Sequence, residues 1–195
     1  MNTYAKAETL AGAFVAPMGW AKSAALVLGF SLFVALSAQV VVPLPWTPVP
    51  LTGQTFAVLL TGALLGPRLG ALALAAYLVE GALGLPFFRG GNGGAHYLIF
   101  SPTAGYLLSY PLAAYLTGRL AERGWDRRYP WAAAAMALGS LVVLACGWAW
   151  LAVVTGSGSE AFRLGVLPFL PGDALKVALA AAVLPTGWAL LRRTK

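Results

Sequence analysis

Charge is what this chain has least of. Only 10% of its 195 residues are Asp, Glu, Lys or Arg, against 59% hydrophobic residues, whereas a soluble domain carries about 25% charged residues. That shortage excludes an ordinary water-soluble enzyme. The net charge of +7 does not bring nucleic acid back as a partner, because the basic residues stand between apolar runs rather than along one polar face. Such spacing is the mark of membrane topology. Cysteine is nearly absent. Cys146 is alone within an apolar run, which excludes an intramolecular disulfide and a cysteine metal cluster and leaves a packing role. The single histidine, His96, falls in a predicted loop and supports neither a zinc site nor a Ser–His triad. No G-x-x-x-x-G-K-[ST] run occurs, so any ATP that drives uphill movement must be bound by another subunit. No nucleophile has an oriented base beside it. The chain is therefore read as non-enzymatic, with no catalytic residue, cofactor or metal.

What is present is apolar sequence in long runs, with a mean hydropathy of +0.77. Six spans are expected, at about 21–42, 52–65, 69–85, 103–120, 131–155 and 172–191. Most approach the ~20 residues that cross the hydrocarbon core. Backbone groups in lipid must be bonded internally, which selects helices, and the spans lack the period-two polarity of barrel strands. The expected fold is an all-α membrane protein of six transmembrane helices. Residues 1–195 are read as one integral membrane domain, with 1–20 as an N-terminal cytoplasmic segment and 21–192 as the six-helix core. The 1–20 segment has Lys6, but its apolar part is short and broken by Pro17, unlike a cleaved signal peptide.

Basic residues give the orientation. Lys6, Lys22, Arg68, Arg119, Arg123, Arg127, Arg128, Arg192, Arg193 and Lys195 all fall on one side of a six-span chain, leaving Arg89 and Arg163 in the opposite loops. The positive-inside rule makes the rich side cytoplasmic and puts both termini there. Polar residues then gather at the outer ends of the spans: Gln39, Gln54, Glu80, Thr103, Tyr106, Asp173 and Lys176. Two outer loops are unusual, one stiffened by Pro43, Pro45, Pro48 and Pro50, the other reading GGNGG from Gly90. Irregular backbone at membrane depth is tolerated where it lines a cavity, so an outward-facing pocket capped by these loops is expected. At the inner half of span one, Ala21, Ala25 and Gly29 repeat at four-residue spacing, a surface that lets another helix come close, whether within the chain or from a partner.

Asp173 and Lys176 matter most. They lie three residues apart, on one face of a helix, in the opening turns of the last span. Ionisable groups inside a span cost about 2.5–3.5 kcal/mol each on insertion scales and usually mark function. A purely structural ion pair is the plain alternative, although two apolar residues would fill that place at lower cost.

An ordered series of motifs carries a resemblance. TGQTFAV runs from Thr52, GALLGPRLGALALAAYL from Gly62 and GLPFF from Gly84. GGNGG follows from Gly90, SPTAGYLLSYPLAAYL from Ser101 and PFLPGDALK from Pro168. Together, from about residue 42 to the end of the last span, they resemble the BioY family, the biotin-specific substrate-capture (S) components of energy-coupling-factor (ECF) transporters. The resemblance implies an S-component-type bundle at the cell membrane of a bacterium. It also implies high-affinity biotin capture from outside, and delivery inward with a transmembrane coupling (T) subunit and two ABC-type ATPases. The acid and base of the family's sixth helix match Asp173 and Lys176, and its glycine-rich loop places Asn92 at the centre. Some members carry a basic residue there; this chain has Arg89 just before the glycines. Gln54, Thr103 and Tyr106 lie in matched motifs and are assigned to the same substrate site. Ala21, Ala25 and Gly29 are assigned to the face toward the coupling subunit. Membrane lipid is the remaining partner.

The chemistry agrees. A ureido ring offers N–H donors to a carboxylate and a carbonyl oxygen to an ammonium, and a cation or backbone N–H groups suit a carboxylate tail. A rival reading is a self-sufficient transporter for biotin or another vitamin, coupled to protons through Glu80 and Asp173. The small size and the lack of an inverted repeat speak against it.

Overall fold

The computed structural model describes residues 9–15 and 18–193; Lys6, Pro17 and Lys195 lie outside the described residues. Its regular structure is helical apart from one short ribbon. In chain order the helices are α1 (Leu10–Val15), α2 (Trp20–Ser37), α3 (Gln54–Leu65), α4 (Pro67–Ala82), α5 (Ala95–Phe100), α6 (Ala104–Glu122), α7 (Tyr129–Thr155), α8 (Gly158–Gly165) and α9 (Leu170–Arg193). The punctuation is written in the residues. Pro67 opens α4, where a missing N–H is harmless. Gly156 ends α7 in the left-handed conformation. The Ser157 hydroxyl then accepts the Glu160 N–H at 3.3 Å to cap α8.

Among the described residues, three helical stretches are long and apolar enough to cross a membrane: Trp20–Ser37, Tyr129–Thr155 and Gly158–Leu191, the last joining α8 to α9. The twelve residues of α3 reach only about 18 Å. α4 is also short, and α6 ends in the Arg119–Glu122 ion pair. α6 stands at the centre, packed on α3, α4 and α7. Close approach of α3 and α6 depends on small residues at four-residue spacing: Gly62 and Gly66 face Ala114 and Gly118. A Cβ on Gly62 would run into the Ala114 backbone and the Thr117 hydroxyl, and one on Gly118 into the Gly66–Pro67 backbone. Such seams let helices gain dispersion contacts where lipid offers no hydrophobic drive. Hydroxyls buried near the seam are satisfied locally, Thr61 by the Ala57 carbonyl at 2.7 Å and Thr117 by that of Ala113 at 3.1 Å.

The structure departs from expectation at three places. Span one ends at Ser37 rather than near 42. The proline-rich loop begins and ends in an antiparallel ribbon of β1 (Val41–Val42) and β2 (Leu51–Thr52), because prolines that cannot continue a helix are tolerated beside an edge strand. Two expected loops contain helices, α5 and α8. His96 lies in α5, its ring 5.0 Å from that of Phe100. Finally, the N-terminal segment is not a bare tail. α1 docks on the bundle, and Leu10 is buried with Leu59, Leu184 and Trp188, since an apolar side chain gains by leaving water.

The turn between α6 and α7 is tied to α9 by a buried acid. Asp126 is 1% exposed; its Oδ2 accepts the Trp188 indole N–H at 2.6 Å, and the Arg127 guanidinium lies 4.7 Å from the Trp188 ring centre. Burial pushes the Asp126 carboxyl up to about 6, against the opposing pull of Trp188 and Arg127. Between the unfolded value of 3.8 and about 6 the folded state therefore holds the proton more tightly, so this group lowers stability as pH rises through that window. Asp126→Asn cannot lose a proton. Its melting temperature, measured in detergent, should rise relative to the unsubstituted protein between about pH 4 and pH 6 and keep a constant lead above that. A difference independent of pH would contradict this.

Candidate ligand-binding site

One cavity is enclosed by the starts of α3, α6 and α9, the middle of α7, and the loop residues Val49, Pro50 and Arg89. Six of the seven residues assigned to a substrate site line it: Gln54, Arg89, Thr103, Tyr106, Asp173 and Lys176. Asn92 does not. Its exposed side chain donates to the Arg89 carbonyl at 2.7 Å, so it braces the loop whose preceding residue, Arg89, reaches the cavity. Gly90 and Gly91 make that bend possible at φ 63° and 78°, a region other residues avoid.

The acid and base sit at the opening of α9. Asp173 is buried, and the Ser140 hydroxyl of α7 donates to its Oδ2. Its Oδ1 stands 3.8 Å from the Lys176 ammonium, close enough for an ion pair but beyond hydrogen-bonding distance. Lys176 therefore keeps its N–H donors uncommitted toward Asp173. Arg89 enters no ion pair among the described residues. Two cations with free donors and a carboxylate held from behind thus share one apolar-walled space.

Of the other polar lining groups, Gln54, Thr103 and Tyr106 are already engaged, whereas the hydroxyls of Thr55, Tyr97 and Tyr110 make no hydrogen bond among the described residues. The Gln54 amide donates to the Tyr77 hydroxyl at 2.7 Å and its oxygen accepts from Thr52 at 3.1 Å. Tyr77 in turn donates to the Phe87 carbonyl at 3.2 Å, joining the cavity wall to the glycine-rich loop. Tyr106 gives its hydroxyl to the Gly165 carbonyl at 2.6 Å, and Thr103 shares a proton with Ser101 at 2.9 Å. Thr47, from the proline-rich loop, donates to the Leu164 carbonyl at 2.7 Å and fastens that loop to α8. Gln39 bridges the loops too, donating to the Ala35 and Pro86 carbonyls at 3.0 and 3.3 Å. The enclosed volume is ≈ 50 Å³, far below the ~300–1,000 Å³ of most ligand sites. A ligand of vitamin size must part these ties to enter.

Glu80 does not line the cavity; it accepts a hydrogen bond from Ser31 of α2. Among the small residues of α2, Ala21, Ala25 and Gly29 are all exposed, and nothing lies within 4 Å of a Cβ built on Gly29. Sequence reasoning missed Ser140 and Tyr77. Ser140 could have been found as a lone hydroxyl in an apolar span, which must bond to something. Tyr77 lay in the LAAYL run, where its neighbours gave no polar signal.

The sequence pattern of the BioY family matches residues 5–193. The chain belongs to the BioY family. A Pyrococcus horikoshii protein named "Probable biotin transporter BioY" is 42% identical over 164 residues, covering 84% of this chain and 94% of the relative. The "Biotin transporter BioY" of Rhizobium etli is 37% identical over 158 residues, 77% of this chain and 84% of that one. A crystal structure described as the S-component for biotin from an ECF-type ABC transporter superposes with a TM-score of 0.77 at 24% identity, over 85% of this chain and 90% of the other. That likeness establishes a shared fold. The family is one of membrane transporters rather than enzymes, and its pattern includes most of the N-terminal segment that carries α1.

The Gln54–Tyr77–Phe87 relay is open to test. Tyr77→Phe removes one hydroxyl but orphans a buried amide and a carbonyl, at a cost of about 1–3 kcal/mol. The melting temperature in detergent should fall accordingly; no change would mean the relay holds nothing.

Proposed function

We propose that this chain is the biotin-capture S component of an ECF-type transporter, acting without catalysis of its own. The observation that carries the reading is the Asp173–Lys176 pair, set in a cavity with Arg89 in a chain of the BioY family. With Oδ2 held by Ser140, Asp173 offers its other oxygen to a ureido N–H, and the free donors of Lys176 suit the ureido carbonyl. The apolar walls, Val143, Leu144 and Phe169 among them, suit the bicyclic body. Arg89 is the group best placed for the valerate carboxylate, in preference to Asn92. Gln54, Thr103 and Tyr106 then act as walls that fix the opening rather than as free hydrogen-bonding groups. Of the two carboxyl groups through which a self-sufficient transporter would couple protons, Asp173 lines the cavity but Glu80 is bonded to Ser31 away from it, which favours capture over proton coupling.

The same reading makes α2, α3, α4, α6, α7 and α9 the six spans of a single membrane domain in the cell membrane. The basic loops and both termini face the cytoplasm, and the cavity opens outward. Energy comes from two ABC-type ATPases through a coupling subunit, whose helices would meet the exposed small residues Ala21, Ala25 and Gly29.

Calorimetric titration of the purified protein with biotin, thiamine and riboflavin should show binding of biotin alone. Asp173→Asn, which weakens a charge-assisted bond, should lower biotin affinity more than about tenfold with an unchanged melting temperature. Unchanged affinity would sink the assignment of the pair. Separately, Gly29→Leu should cut recovery of the coupling subunit in pull-downs while biotin affinity stays the same; full recovery would remove that face from the interface.

A further inference from the structure

A second, larger cavity lies at the opposite end of the molecule, between α1, the α3–α4 turn and the end of α6. It measures ≈ 620 Å³ and is walled by Leu65, Arg68, Leu69, Tyr115, Arg119 and Glu122, with Thr9, just before α1, and Gly12 of α1 beside them. The charges are unequal. Arg119 is paired with Glu122 at 3.0 Å, whereas Arg68, exposed at the start of α4, enters no ion pair among the described residues. The cavity therefore carries one uncompensated positive charge beside a paired guanidinium that still has N–H groups to give.

The surfaces leading away from it are of another kind. On α6, Arg119, Tyr115, Leu112 and Leu108 fall at spacings of three or four, and all are exposed. On α4, Arg68, Leu72 and Val79 make a parallel exposed stripe. Each stripe begins with an arginine at the cavity and ends in aliphatic side chains, with Tyr115 between them on α6. Because α4 and α6 pack against each other, the two stripes lie on neighbouring helices, and Leu108 and Leu112 also line an open apolar groove with Ala149 and Val153 of α7. A polar, cationic pocket continuous with an apolar groove matches a molecule with an anionic head and hydrocarbon tails.

We propose that this cavity binds the phosphate headgroup of an anionic phospholipid, with the acyl chains lying along the α4 and α6 stripes. The guanidinium forks of Arg68 and Arg119 match phosphate oxygens bidentately, and Tyr115 beside them is the kind of aromatic residue that meets headgroups. A headgroup amine would have to compete with Arg119 for Glu122, so phosphatidylglycerol fits better than phosphatidylethanolamine. The site is separate from the Asp173 cavity and involves none of its residues.

The test is native mass spectrometry of the full chain, released from mixed micelles holding equal amounts of phosphatidylglycerol, phosphatidylethanolamine and phosphatidylcholine. Phosphatidylglycerol should be retained over each of the others by about tenfold, since each basic residue near a surface adds a modest attraction. Arg68→Gln with Arg119→Gln should abolish the preference, and Arg68→Lys should keep most of it. Millimolar inorganic phosphate should not displace the lipid. Biotin titration checks that the double variant is folded; should it fail to fold, Arg68→Gln alone, at an exposed position, should lose a clear part of the preference. Equal retention of the three lipids overturns the proposal. So does an undiminished preference in the variants, which would move the lipid to other arginines, and so does displacement by phosphate, which would make this a site for a small anion.

Discussion

A polar group buried in a span has only protein to bond with, and leaving it unbonded costs several kcal/mol. That constraint orders this chain. Thr61, Thr117 and Ser109 return their hydroxyls to the preceding turn of their own helices, so they demand nothing of their neighbours. Gln54 and Tyr77 satisfy one another across α3 and α4 and pass the last bond to the loop at Phe87. Ser31 and Ser140 each meet a carboxyl group from another helix. With so much of the polar inventory consumed, the groups left with spare capacity become conspicuous, and at the Asp173 cavity they include Lys176, Arg89 and the hydroxyl of Tyr110. A water-soluble protein would give no such contrast, since water would satisfy every loose donor.

The same constraint explains what could be read from the residues alone. Asp173 and Lys176 were legible because charge in an apolar run is rare and their spacing puts them on one helical face. Gln54, Thr103 and Tyr106 were legible as polar residues at the ends of spans, although their engagement with Tyr77, Ser101 and Gly165 was not, because it depends on which helices become neighbours. Ser140 was invisible as a partner for the same reason: 33 residues separate it from Asp173, and no periodicity connects positions on different helices. The choice between Arg89 and Asn92 turned on the left-handed bend at Gly90 and Gly91, which reverses the loop between them. α1, α5 and α8 escaped because short helices make too few turns to show a pattern against so apolar a background.

Packing at the other end obeys a different rule. The seam of Gly62, Gly66, Ala114 and Gly118 brings α3 and α6 into backbone contact, and α4 follows because Pro67 starts it immediately after Gly66. The closeness of these helices, with α1 set against them, shapes the arginine-lined recess at that end. One row of small residues thus supports both the Asp173 cavity, through the placement of Gln54 and Tyr106, and the arginine-lined one, through the placement of Arg68 and Arg119.

The small size of the Asp173 cavity has a consequence for time rather than for strength. With ≈ 50 Å³ available and the proline-rich loop fastened by Thr47 to Leu164, a ligand of vitamin size enters only when the walls part, and the apparent affinity is reduced by the fraction of molecules open at any moment. Departure waits on the same opening. On the proposed function, such a site is slow to load and slow to lose its ligand. On that reading it suits scavenging from dilute surroundings, where a captured molecule stays in place until a partner parts the walls.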